Sequence, residues 1–258
     1  MLKYDQDIPH NRAVDEFISM NDAHEVMITP IQEKTKEDSK KWVPEYHSQL
    51  KQRIVKVPEE IAQASGIKIF GNNIKSLLFT TDVALIKNTD AHSVMAVYPF
   101  TPQVSIMQAI NNVASMPVFM GVGGGTTTGE RSVNLAFQAE QLGAFGVVVN
   151  VPIANDVIRR IQETVDIPVI GTISSEKDDF LSKYEAGVDI FNVSAAKSTA
   201  VIVGDIRQKL GKHVPIIATG GPTSESIIQT IEAGANAITY TPPSSAEIFA
   251  KIMEKYRQ

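Results

Sequence analysis

The sequence contains no cysteine, and this absence excludes disulfide bonds, thiolate metal sites and cysteine nucleophiles. It lacks an apolar run of the roughly 18 to 20 residues that a membrane span requires. Its first residues, MLKYDQDIPHNRAVDEF, lack the basic flank and the apolar stretch of a signal peptide. Positive charge is scarce too, because 24 Lys and Arg face 29 Asp and Glu, for a net charge of -5. We therefore expect a cytoplasmic protein that binds neither nucleic acid nor membrane, since both partners require a face rich in Lys and Arg.

What the sequence does contain is a repeat in its turns. Proline and glycine alternate strictly at the heads of six apolar runs, and residues of one type recur about every four dozen positions. The prolines are Pro117, Pro168 and Pro215, and the glycines are Gly143, Gly187 and Gly234. Proline suits the first residue of a strand, and glycine suits the end of a helix, where it adopts positive φ without strain. Each repeat therefore predicts two strands, with a helix before the glycine.

An earlier copy of the repeat, beginning near Ile74 and Asp90, brings the predicted strands to eight. Runs such as VVVNV and IIAT are continuous rather than alternating, which is typical of parallel strands covered on both faces. The chain has 258 residues, 43% of them hydrophobic, enough for one large core. We predict an α/β protein with a (β/α)8 TIM barrel over residues 74–258; an open parallel sheet is the alternative.

Residues 1–73 fall outside the repeat, and we expect them to form an extension packed on the barrel. Their pattern predicts a helix near Arg12 to Met20, a charged turn at Glu33 to Lys41, and a patch around Trp42 and Tyr46. The segment RIVKVPEEIAQASGIKIFGN is expected to hold a strand pair that closes the floor of the barrel.

Glycine clusters follow the third and the seventh predicted strand of the barrel. Gly124 and Gly125 precede Thr126, and Gly220 and Gly221 precede Thr223. Loops at the carboxyl ends of barrel strands build the active face, and glycine lets backbone N–H groups approach a ligand closely. The clusters predict two phosphate-binding loops that face each other across the mouth. The alternative is that Gly-Gly-Pro is only a tight turn, with Thr223 or Ser224 capping the next helix.

These loops resemble those of a known superfamily. GVGGGTTTGERS and ATGGPTSES are similar to the glycine loops of the histidine-biosynthesis barrels, within the ribulose-phosphate-binding barrel superfamily. The resemblance implies a (β/α)8 fold and a small phosphorylated substrate. Two departures stand out, because Asn150-Val151-Pro152 and Thr241-Pro242-Pro243-Ser244 occupy the places where that superfamily carries glycines. Ser244 is expected to supply a hydroxyl to the ligand or, alternatively, to cap the last helix.

The predicted strand ends carry mostly neutral hydrogen-bonding side chains, which suit a ligand with hydroxyl or carbonyl groups. The predicted substrate-binding residues are Gly124, Gly125, Thr126, Arg131, Asn150, Thr172, Asn192, Gly220, Gly221, Thr241 and Ser244.

Three ionisable residues are candidates for catalysis. Asp82 follows the first barrel strand, where the resemblance implies a catalytic aspartate. Alternatively, its carboxylate stabilises the positive end of the dipole of a short helix. Because Thr172 stands where related isomerases carry a second acid, Glu130 is the substitute partner, or else a solvated first-turn residue. Lys197 is the one lysine near the rim that could form a Schiff base, although a solvated loop position is the competing interpretation.

We expect no cofactor and no metal, because a divalent ion needs several converging carboxylates or histidines, and His92 and His213 precede strands 2 and 7 at the wrong end of the barrel. FMN is an alternative cofactor, since its phosphate could use the same glycine loops. The predicted function is a metal-independent isomerase or lyase acting on a small phosphorylated metabolite. A non-catalytic metabolite sensor with the same anion pocket is the alternative, and a homo-oligomer is compatible with the sequence.

Overall fold

The computed structural model describes residues 16–21, 23, 25–30 and 53–257. The strands before the barrel are β1 (Glu16–Met20), β2 (Val26–Pro30), β3 (Arg53–Val55), β4 (Ile67–Ile69) and β5 (Asn72–Ile74). The barrel strands are β6 (Ser76–Phe79), β7 (Ser93–Ala96), β8 (Val118–Gly123), β9 (Gly146–Val149), β10 (Val169–Ile173), β11 (Ile190–Val193), β12 (Ile216–Thr219) and β13 (Ala237–Tyr240). The helices are α1 (Val83–Lys87), α2 (Val104–Val113), α3 (Glu130–Gln141), α4 (Asn155–Thr164), α5 (Phe180–Glu185), α6 (Thr199–Leu210), α7 (Ser224–Glu232) and α8 (Ser245–Arg257). Short 3-10 helices span Glu59–Gln63 and Ala196–Ser198.

Strands β6 to β13 close into a parallel barrel, and each is followed by one α-helix. Each strand pairs with its sequence neighbours, and β13 pairs with β6 to complete the ring. The (β/α)8 prediction is therefore confirmed. Continuous apolar runs behave as expected, since every residue of β9 is buried between the barrel interior and the surrounding helices.

A hairpin closes the amino end of the barrel. Strands β4 and β5 pair antiparallel, and their Ile67, Ile69 and Ile74 join the inner cluster of the barrel. The cluster also contains inward side chains from all eight strands, namely Leu77, Met95, Phe119, Val148, Ile170, Ile190, Ile217 and Ala237. The predicted strand pair at the floor is therefore present, and the interior below the mouth is filled with apolar side chains.

The helix predicted near Arg12 to Met20 is wrong over the part that the structure describes. Glu16–Met20 is strand β1, which pairs antiparallel with β2 and parallel with β3. Ile18 is buried in a cluster with Val55 on β3 and Ile248 on α8. Pairing with distant strands therefore overrides the local pattern. Residues 12–15, the turn at 33–41 and the Trp42/Tyr46 patch lie outside the described residues.

Among the described residues, no helix is both long and apolar enough to cross a membrane. The division into residues 1–73 and 74–258 stays a prediction.

Candidate functional site

A row of neutral polar side chains crosses the inner wall at the carboxyl half of the barrel. Asn150 follows β9, and Thr172 on β10 is paired in register with Asn192 on β11. The Thr172 hydroxyl donates to Asn150 Oδ1 at 2.7 Å and accepts from Asn192 Nδ2 at 3.1 Å. The structure thus brings together three predicted substrate-binding residues in one hydrogen-bonded chain.

A second row continues on the next strands. The Thr219 hydroxyl, at the end of β12, donates to Ser194 Oγ at 3.1 Å. Thr219 is paired in register with Thr239 on β13, which is 5% exposed. Thr239 was not among the predicted site residues, although the alternation of inward positions through Ala237, Thr239 and Thr241 could have indicated it.

The opposite part of the inner wall is apolar. Phe79, Met95, Val97 and Phe119, from β6 to β8 and the residue after β7, belong to or pack against the inner cluster. None of the eight barrel strands contains a charged residue. The mouth therefore has one neutral hydrogen-bonding side and one apolar side.

Within the described residues, three buried side-chain atoms have no hydrogen-bond partner: Asn192 Oδ1, Thr239 Oγ1 and the Tyr240 hydroxyl. Burial raises the pKa of the Tyr240 phenol above its usual range. The Met20 backbone has a smaller, opposite effect on this pKa. Asn192 and Thr239 lie on the inner wall. They leave hydrogen-bonding capacity unused inside the site.

A cavity of about 710 Å³ lies beside this wall, at the carboxyl ends of β12 and β13. Its lining includes Thr219 and Thr239 from the wall, the loops that precede α7 and α8, and the segments Ser19–Asn21 and Lys56–Glu60. The sequence gives no signal for these last two segments, because only the tertiary fold brings them to the mouth.

The charged residues that line the cavity are Lys56, Glu59, Glu60 and Glu247. Glu247 accepts from the Ser244 N–H at 2.7 Å and from the Ser244 hydroxyl at 2.6 Å. These bonds lower the pKa of the Glu247 carboxyl. Ser244 Oγ also accepts from the Glu247 N–H at 3.3 Å, a helix-capping contact that matches the alternative given for this residue, and the ligand-binding role of Ser244 stays a prediction.

In the two glycine loops, some backbone N–H groups donate hydrogen bonds to carbonyl oxygens of the protein itself. Gly124 N–H donates to Thr127 O at 2.8 Å, and Gly220 N–H lies 3.4 Å from Thr239 O. These two amides form hydrogen bonds within the protein, and the ligand-binding role of Gly124 and Gly220 stays a prediction. A side chain at Gly124 would meet Asn150 O at 2.4 Å, and one at Gly220 would meet Ile227 and Ile238 at 2.8 Å. Close packing is the reason for glycine at both positions.

Gly221 and the start of α7 border the cavity. Gly221 has φ of +82°, and a side chain there would meet Ser226 Oγ at 2.6 Å. Thr223 caps α7, since its hydroxyl accepts from Ser226 N–H at 3.2 Å while Ser226 Oγ accepts from Thr223 N–H at 3.1 Å. This reciprocal cap is the alternative foreseen for Thr223.

Asp82 also caps a helix. Its Oδ1 accepts from Ala84 N–H at 2.8 Å and from Leu85 N–H at 3.3 Å, and its Oδ2 accepts from the Ser245 hydroxyl. Both carboxylate oxygens are thus occupied at the junction of α1 and α8. This geometry matches the helix-dipole interpretation, and the catalytic role of Asp82 stays a prediction.

The remaining predicted residues lie around the rim. Glu130 forms an exposed ion pair with Arg160, and Arg131 beside it is exposed. Lys197 is exposed on the 3-10 helix after β11. Gly125, Thr126 and Thr241 are exposed, and Thr241 lines the cavity. The structure therefore does not bring Asp82, Glu130 and Lys197 into one catalytic cluster.

No protein-family profile matches the chain, and no curated protein matches it in sequence. Solved barrels do match in structure. A 2,3-dimethylmalate lyase of the PEP mutase/isocitrate lyase superfamily is 14% identical, with a TM-score of 0.57, over 77% of this chain and 81% of the lyase. An oxaloacetate acetylhydrolase bound to oxalate is 12% identical, with a TM-score of 0.56, over 72% of this chain and 81% of that one. A phosphonopyruvate hydrolase bound to oxalate and Mg++ is 13% identical, with a TM-score of 0.54, over 73% and 82%.

These comparisons show the fold and correct two predictions. One of the barrels reported above is a PEP mutase/isocitrate lyase superfamily member and none is named as a ribulose-phosphate-binding barrel, so the resemblance to that superfamily holds only for the (β/α)8 architecture. The prediction of a protein without cofactor is also wrong, because a barrel with this fold holds Mg++ beside oxalate. In the part of the chain that the structure describes, no three His, Asp or Glu side chains lie together to hold a metal directly. The described residues therefore do not fit a metal ion held by three protein side chains.

Proposed function

We propose that the carboxyl face of the barrel binds a small organic acid or phosphorylated metabolite, and that the protein is a metabolic enzyme of the lyase or isomerase type. The cavity of about 710 Å³ at the ends of β12 and β13 carries this proposal. Active sites of (β/α)8 enzymes lie at this face, and the volume suits a small metabolite.

The anionic group of the ligand would lie in the cavity, against Lys56 and the first turn of α7. The start of a helix carries partial positive charge, which favours an anion. Glu59, Glu60 and Glu247 line the same cavity and oppose the entry of a highly charged ligand. A small ligand with one anionic end fits this balance better than one with anions at both ends.

The reported neighbours support the class of chemistry. By their names, they are a 2,3-dimethylmalate lyase, an oxaloacetate acetylhydrolase and a phosphonopyruvate hydrolase, all acting on small acids. The catalytic group of this chain would come from the rim, because the barrel strands contain no charged residue. Asp82, Glu130 and Lys197 stay the candidates; Asp82 caps α1 and Glu130 is paired with Arg160.

Binding of oxalate and inorganic phosphate, each with and without Mg²⁺, tests this proposal by calorimetry. A Thr241→Trp variant places an indole in the cavity and is expected to abolish binding. Thr101→Trp is the matched control, since Thr101 is exposed on the loop after β7 and does not line the cavity. Binding that survives in Thr241→Trp, or no binding of either anion to the wild type, would contradict the proposal.

A non-catalytic sensor is the second candidate function. The absence of charge from the barrel strands and the capping contacts of Asp82 favour it. Binding without turnover across a panel of small acids and sugar phosphates would establish the sensor and remove the enzyme.

A further inference from the structure

The inner wall of the mouth contains two polar side chains whose hydrogen-bonding capacity is unused. Asn192 is 6% exposed and Thr239 is 5% exposed, and within the described residues neither Asn192 Oδ1 nor Thr239 Oγ1 has a partner. A buried polar atom without a partner is costly, and native proteins contain few of them. Thr239 lines the cavity, and Asn192 lies on the same inner wall two strands away, so a ligand that reaches from the cavity onto this wall is the natural source of the missing hydrogen bonds.

We propose that Asn192 and Thr239 determine specificity by binding uncharged hydroxyl groups of the ligand. This inference rests on the proposed function, and it adds which end of the ligand enters the barrel. The hydroxyl-bearing end would lie on the inner wall, and the anionic end would stay in the cavity at the rim.

The direction of the hydrogen bonds from Asn192 to Thr172 to Asn150 favours a ligand group that donates a hydrogen bond to Asn192. Thr172 has a single hydroxyl hydrogen, which it gives to Asn150 Oδ1, so it accepts from Asn192 Nδ2. The Asn192 amide is thereby oriented, and its Oδ1 remains as an atom that can only accept. A hydroxyl satisfies Asn192 Oδ1, whereas a carboxylate or a ketone oxygen opposite it has no hydrogen to donate.

The lack of positive charge on the barrel strands disfavours an anion at the depth of Asn192. No charged residue occurs in the barrel strands, so a carboxylate placed beside Asn192 would lose its hydration without gaining a counter-charge. Lys56 and the start of α7 lie instead at the cavity. The apolar side of the mouth, formed in part by Phe79 and Val97, suits the carbon skeleton of the ligand.

Three compounds with a common phosphate test the inference: propyl phosphate, glycerol phosphate and phosphoglycerate. The first lacks the hydroxyls, and the third has a carboxylate in place of the terminal hydroxymethyl group of the second. We expect glycerol phosphate to bind about tenfold more tightly than either of the others, the difference that one net hydrogen bond confers. Calorimetry with and without Mg²⁺ measures the three dissociation constants.

Two variants and one control locate the effect. Thr239→Val removes the hydroxyl while keeping the shape, and Asn192→Leu removes the acceptor; each is expected to reduce the preference for glycerol phosphate to less than threefold. Thr230→Val is the control, because Thr230 is equally buried but its hydroxyl donates to Ser226 O on α7 at 2.8 Å. Thr230→Val should keep the tenfold preference.

Melting of the ligand-free protein gives an independent readout. Because the Thr239 hydroxyl has no partner in the described part of the chain, Thr239→Val should melt at the same temperature as the wild type or higher. Thr230→Val breaks a hydrogen bond and should melt lower. Equal affinity for all three compounds, or an unchanged preference in Thr239→Val and Asn192→Leu, overturns the inference but leaves the proposed function standing. Failure of all three compounds to bind overturns the inference, and failure of oxalate and inorganic phosphate as well contradicts the proposed function.

Discussion

Substitution of the glycines after β8 separates a packing role from a ligand-binding role. Gly124 has φ of +114°, and an alanine Cβ there would lie 2.4 Å from Asn150 O. Gly125 has φ of +63°, and a Cβ there would meet no atom within 4 Å. Gly124→Ala and Gly125→Ala therefore form a matched pair, in which only the first change creates a clash with backbone.

The expected magnitudes follow from these two environments. Gly125→Ala incurs only the strain of a left-handed backbone, about 1 kcal/mol of the free energy of unfolding. Gly124→Ala adds a clash to backbone strain, and the main chain of Asn150 has to move. Gly124→Ala should therefore lower the free energy of unfolding by about 3 kcal/mol or more. The displacement also breaks the hydrogen bond from Thr172 to Asn150 Oδ1.

Urea unfolding of the two variants and the wild type measures this difference. We expect Gly124→Ala to lose at least twice as much free energy as Gly125→Ala and to bind glycerol phosphate more weakly. Equal losses in the two variants would refute the packing explanation. A selective loss of phosphate affinity in Gly125→Ala, at unchanged stability, would instead support an amide cradle in this loop.

Three further predictions concern the cap formed by Asp82, the half-buried guanidinium of Arg207 and the phenol of Tyr240. Asp82→Ala should lower the free energy of unfolding, measured in urea, by about 1 kcal/mol. Asp82→Asn keeps a capping oxygen and should lose little stability. A loss of turnover in Asp82→Asn at full stability would instead show that Asp82 is catalytic. Arg207→Met should lose about 3 kcal/mol, because Arg207 donates to three backbone carbonyls and Asn236 Oδ1; a loss under 1 kcal/mol would contradict this. Burial raises the pKa of Tyr240, so its contribution to stability is complete below the unfolded-state pKa of about 10 and is lost as the pH rises through the folded-state value. Tyr240→Phe should therefore flatten the alkaline decline in urea unfolding, and an unchanged decline would be inconsistent with a buried phenol.

Local sequence signals were sufficient to predict the barrel. The prolines at strand starts and the glycines at helix ends are fixed by backbone chemistry, so Pro117 and Gly143 mark their elements without any knowledge of the fold. The segment Glu16–Met20 could not be assigned in this way, because its conformation depends on pairing with β2 and β3.

The site was predictable where strand alternation controls it. Asn150, Thr172 and Asn192 were expected at the mouth and do form one hydrogen-bonded chain. The packing role of Gly220 depends on the approach of Ile227 and Ile238, which no local pattern indicates. Lys56 reaches the cavity from a segment more than 100 residues away from the loops that it faces, so sequence spacing gave no signal for it.

The most direct test of this account is a crystal structure of the protein with glycerol phosphate bound. The account predicts electron density for the phosphate in the cavity near Lys56 and α7, with ligand hydroxyls within hydrogen-bond distance of Asn192 Oδ1 and Thr239 Oγ1. Density for the compound elsewhere on the protein, or in the cavity with the phosphate directed into the barrel, would contradict it.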